Sequence, residues 1–133
     1  AFYSPRWNQG ELRSIGAVSQ TDIMPSVLAY LGYAKPFFAF GENALTLAKK
    51  YPYAICYNHP VYQLFSDSIL IQFDGNEVQA VYSYPHDPML QNNIASQLDT
   101  KAMQTYLRAY IQQYIYRLTT NQLTVETNGN TSR

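Results

Sequence analysis

The hydrophobic pattern of this chain changes period twice. Ile23, Val27 and Leu31 recur at spacing four with Met24 and Leu28 beside them, which predicts an amphipathic helix over residues 22–31. Asp22 is the expected N-cap, Pro25 falls at the third helical position, where no intrahelical N–H bond is lost, and Gly32 ends the helix. Its broad apolar face is expected to point inward. From residue 53 the period shortens to β-branched and aromatic runs: YAICY (53–57), VYQLF (61–65), SILIQF (68–73) and EVQAVYSY (77–84). Asn58-His59-Pro60, Ser66-Asp67 and Asp74-Gly75-Asn76 are turn sequences, so the four runs read as an antiparallel meander. Pro85 and Pro88 stop the sheet. Helical spacing then returns at Met103, Leu107, Tyr110, Ile111, Tyr114, Ile115 and Leu118, with Ser96 or Asp99 as cap. That face must pack on the sheet, leaving Arg108, Gln112 and Arg117 on more solvated sides.

The remaining segments complete an α+β fold. Residues 2–4 read as a short strand, 7–16 as a polar loop, and 35–50 as an irregular packed loop with one helical turn near 43–49. Beyond Leu123 the sequence is polar and aperiodic and is expected to be mobile. Three parts follow: 1–50, holding a strand, a helix and a loop; 51–123, the meander with its long C-terminal helix; and the tail, 124–133.

Composition narrows the function. With 133 residues and 47% hydrophobic side chains the chain has single-domain length and material for a core. Nine basic and nine acidic residues cancel, and no run of like charge occurs, so nucleic acid is not an expected partner. No apolar stretch approaches the ~20 residues of a spanning helix. One cysteine forbids an internal disulfide. Thirteen tyrosines stand out, and a strand-rich chain packs such rings half-buried with the hydroxyl reaching water.

The candidate chemistry is sparse. Cys56 and His59 are the residue types of a thiol nucleophile and its base, but a spacing of three from strand into turn puts them on opposite faces, so Cys56 is expected to be a core cysteine. His59 and His86-Asp87 are a thin set of metal-ligand types scattered over turns. Asp87 with Pro88 reads better as the turn that ends the sheet, its carboxylate bonding nearby backbone N–H groups, with Asn92 and Asn93 tying the loop down.

SQTDIMPSVLAYLGY (19–33), with the preceding AFYSPRW (1–7), resembles the segment downstream of the metal site in the alkaline-phosphatase superfamily, which includes sulfatases and lipoteichoic-acid-synthase-like phosphoglycerol transferases. VYSYPHDPMLQNNIA (81–95) is similar to the sulfatase C-terminal signature through Tyr82, Asp87, Pro88, Asn93 and Ala95. FAFGENAL (38–45) and residues 62–84 look more like the phosphoglycerol-transferase branch. The resemblance spans roughly residues 1–120. It implies that 1–50 is the end of an α/β catalytic domain, a strand-helix remnant of a doubly wound sheet, and that 51–123 is the C-terminal subdomain beside the active-site cleft. Asp22, Pro25, Asp87 and Asn93 then have structural roles, and Asn58 and His59 are the candidates for binding near the cleft. The superfamily's nucleophile and Asp and His ligands are expected upstream, since neither a Cys/Ser-x-Pro-x-Arg motif nor an Asp-His pair occurs here. The chain therefore carries no catalytic residue and no metal or other cofactor of its own, while the parent enzyme would use a divalent ion: Mn, Mg, Ca or Zn. Its expected partner is the upstream catalytic portion, with self-association through an exposed apolar face when that portion is missing. The expected setting is extracytoplasmic, with a membrane anchor upstream and none in this chain. The alternative is a self-standing α+β binding module whose tyrosine-rich sheet recognises a glycan or peptide.

Overall fold

The computed structural model describes residues 16–46, 50 and 52–125. The expected strand at 2–4, most of the loop at 7–16 and the tail from 126 onward lie outside them. Four strands, β1 (Ala54–Asn58), β2 (Val61–Phe65), β3 (Leu70–Phe73) and β4 (Val78–Tyr82), form one antiparallel sheet in sequential order. Two helices accompany it, α1 (Ile23–Tyr30) and α2 (Lys101–Thr119), with short 3-10 turns at Gln20–Asp22 and Ala95–Gln97. The architecture is α+β, a four-stranded meander with a long C-terminal helix.

Register decides which side chains meet α2. Ile55 pairs with Leu64, Leu64 with Ile71, and Ile71 with Val81, so these four share one face of the sheet. Leu64, Ile71, Phe73, Val81 and Leu107 are fully buried together and make the core. Met103, Tyr106 and Ile111 of α2 flank it at helical spacing, as the periodicity predicts. The hairpin between β3 and β4 is set by its turn residues. Gly75 takes φ +104°, and the Asp74 carboxylate accepts from the N–H groups of Asn76 and Glu77, both at 2.7 Å. Those backbone bonds hold the Asp74 carboxyl below its ordinary range.

The outer edge of β4 is closed by a side chain. Asn93 Oδ1 accepts from Val81 N at 3.0 Å, its Nδ2 donates to Gln79 O at 3.3 Å, and Ile94 N donates to Val81 O at 2.8 Å. Asn93 thus satisfies edge groups that another strand would otherwise take. Asp87 fixes the approach to it, its Oδ2 accepting from Asn92 N at 2.7 Å.

The N-terminal helix departs from expectation. Pro25 is the third residue of α1, and Gly32, at φ +67°, ends the helix with Tyr33 N donating to Leu28 O and Gly32 N to Ala29 O. The residues that α1 buries, however, are Pro25 and Ser26. Ile23, Met24, Val27 and Leu31, expected inward, are 49%, 46%, 38% and 70% exposed. Polar contacts place this helix instead. The Asp22 carboxylate, itself buried, does not cap α1 by a bond to its first turn. It accepts from Ser19 N at 2.7 Å and from Glu42 N at 2.8 Å. Ser26 Oγ donates to Asp22 O at 2.5 Å and accepts from Ala44 N at 2.9 Å. Gly41 runs so close to Thr21 and Asp22 that a Cβ there would overlap Thr21 C and O.

Aromatic residues join this loop to α2. Phe40 packs against Tyr110 and Tyr114, with ring centroids 5.5 and 5.3 Å away, and the Arg117 guanidinium lies 4.1 Å above Phe38. Arg108 likewise sits over Phe73 at 5.3 Å and donates to Asn76 O; it is exposed, as expected, and Arg117 is half-buried, so both arginines also cover an aromatic ring. At the start of α2 Thr100 holds the N-cap position without a side-chain cap bond, and Asp99 Oδ1 accepts from Lys101 N, the first N–H of the helix, at 3.1 Å, while Ser96 lies in the preceding 3-10 turn.

Candidate functional site

The hairpin from β1 to β2 forms one wall of a recess in the surface. A turn of only two residues, His59 and Pro60, brings Tyr57 opposite Tyr62, and their rings meet at 4.7 Å with 47° between planes. Across a groove, α2 presents Tyr110 and Tyr114 one helical turn apart. Thr21, which precedes the buried Asp22, and Ile115 of α2 also line it. The enclosed volume is about 330 Å3. Burial raises the pKa of the Tyr110 hydroxyl, against the opposing effect of its hydrogen bond with Thr21, so the groove keeps a neutral phenol.

A broader recess of about 970 Å3 lies on the other face of the sheet, lined by Cys56, Gln63, Phe65, Leu70 and Tyr84 among others. The two concavities share Thr21, Ile55, Cys56 and Tyr57, so they flank the same edge strand. Neither is lined by a charged side chain among the described residues. Such walls suit a neutral ligand with ring faces or hydroxyls to offer.

Cys56 is exposed rather than a core cysteine, because alternation turns it away from the α2 side on which Ile55 and Tyr57 lie. Its thiol lies 3.5 Å from Gln63 Oε1, and partial burial pushes its pKa up, which works against a thiolate nucleophile. Asn58 ends β1 and pairs with Val61, and His59 stands edge-on to Tyr57 at 6.1 Å. Both are exposed, and neither lines either recess. His86 lies in the loop after β4, where its N–H donates to Ser83 O at 3.0 Å. Among the described residues no group of three or more His, Cys, Asp and Glu side chains could hold a metal ion, so they offer no donor set for the divalent ion that the resemblance implies for a parent enzyme.

The groove tyrosines are the residues that pattern reading did not single out. The expected turn, Asn58-His59-Pro60, would set Tyr57 opposite Val61; Asn58 instead joins β1 and pairs with Val61, which brings Tyr57 to Tyr62, and their meeting with Tyr110 and Tyr114 depends on how α2 crosses the sheet. No helix among the described residues is long and apolar enough to cross a membrane. No family model matches the chain, and no curated protein or solved structure matches it either.

Proposed function

We propose that the chain is the non-catalytic C-terminal subdomain of a metal-dependent enzyme of the sulfatase and phosphoglycerol-transferase type, acting on sulfate or phosphate esters outside the cytoplasm. Two motif resemblances in the right order support this reading. The observation that carries it is the exposed apolar face of α1. Ile23, Met24, Val27 and Leu31 stay open to water on a helix whose polar side is bonded to its own loop, and the resemblance locates the catalytic sheet at that helix. Asp22, Ser26 and Gly41 then present the apolar face to the upstream domain. The exposed hairpin with Asn58 and His59 is this subdomain's contribution to the rim of the cleft. The nucleophile, the divalent ion and the membrane anchor belong to the upstream part.

Two measurements on the purified chain test the reading. It is expected to leave p-nitrophenyl sulfate and p-nitrophenyl phosphate uncleaved with Mn, Mg, Ca or Zn ions, and to self-associate in sedimentation unless Ile23 and Val27 are changed to lysine. Metal-dependent turnover that disappears in His86→Ala, or a wild-type chain that stays monomeric at high concentration, would overturn it.

A further inference from the structure

No residue of α1 lines the groove between β1 and α2, and the groove's chemistry can be argued without reference to any parent enzyme. Its two walls are aromatic: Tyr57 and Tyr62 on the sheet, Tyr110 and Tyr114 on the helix. Tyr57 is 57% exposed and Tyr114 45%, so ring faces are open to water although the groove is concave. Tyrosines of this kind offer an apolar face and a hydroxyl at once. Two occupants suit an uncharged aromatic groove beside an edge strand, an extended peptide and a sugar chain, and the geometry separates them. The two-residue turn makes Asn58 and Val61 a hydrogen-bonded pair, so Cys56 also bonds toward β2, and the groups turned outward are those of Ile55 and Tyr57. Ser19 Oγ already donates to Ile55 O, at 3.4 Å. An added strand would find mainly Tyr57 to pair with, too short a ladder to define it.

We propose that this groove binds a neutral glycan segment, with sugar rings stacked on Tyr57 and Tyr114 and ring hydroxyls bonded to the tyrosine hydroxyls. The volume of about 330 Å3 takes about one to two pyranose rings, and its mouth is open enough to leave the rest of a longer chain in water. Among the described residues no lysine or arginine lines its walls, so these walls offer no counter-charge for a sulfate or phosphate and favour the uncharged part of a polymer.

Saturation-transfer NMR and calorimetry with maltohexaose, cellohexaose and chitohexaose as probes test this. At least one is expected to bind, with Tyr57→Ala weakening it about tenfold and Tyr57→Phe leaving most of the affinity. Tyr30→Ala, outside the groove, should leave binding unchanged. Tyr114→Ala gives a second reading from the other wall, with circular dichroism showing that each variant is folded. The proposal is overturned if no probe gives a signal, if binding survives both alanine changes, or if an uncharged threonine-valine hexapeptide binds the groove and the glycans do not.

Discussion

The two helices are held by opposite means. α2 is placed by apolar burial, with Leu107 sealed against Leu64, Ile71, Phe73 and Val81. α1 is placed by polar groups: Asp22 and Ser26 bond to the loop at 42–44, while its apolar residues face outward. Apolar periodicity therefore locates a helix without saying which side it buries. For α2 the periodic face is the buried face; for α1 a buried carboxylate and a buried hydroxyl reverse it.

Three substitutions probe that contrast. The largest effect is expected from Leu107→Ala, which opens a cavity in the hydrophobic core and should cost about 2–5 kcal/mol in urea unfolding. A loss below about 1 kcal/mol would mean that the sheet does not depend on α2. Gly41→Ala comes next, at about 1–3 kcal/mol, because the new methyl collides with the backbone of Thr21 and Asp22 and must push the loop from α1. Amide exchange should show the change concentrated in residues 19–30; uniform acceleration across the sheet would mean that α1 and the meander unfold together. The smallest effect is expected from Val27→Ser, within about 0.5 kcal/mol when measured at a dilution where the chain is monomeric, since that side chain is already substantially exposed. A loss comparable to that of Gly41→Ala would show that the outer face of α1 is covered in solution.

Much of the meander is legible in the sequence because its information is local. The residues 61–65 expected as a strand are those of β2, and β1 is offset by one residue. β3 and β4 are shorter than their apolar runs: Ser66 binds Ile69 through both backbone and hydroxyl before β3 begins, and Asp74 gathers the next turn. The misread features are those set at a distance. The Asp22 carboxylate reads as a cap to its own helix because its other acceptor bond, to Glu42 N, lies 20 residues away. Ser26, an unremarkable small polar residue in the pattern, turns out to be fully buried between two backbone groups. Cys56 reads as core because its neighbours are apolar, yet alternation along β1 sends it to the other face. The groove needs both kinds of information, a local hairpin for one wall and the crossing of α2 for the other.

The sequential strand order has a kinetic consequence. Among the described residues β2, β3 and β4 each pair with the strand just before them, so each hairpin closes a loop of a few residues and the meander waits for no distant segment. Topologies of this kind form their sheet early, because little chain entropy is lost before contacts repay it. A ribosome releasing these residues would see β1 to β4 zip up in order of synthesis, with Asn93 arriving last to close the edge before α2 docks.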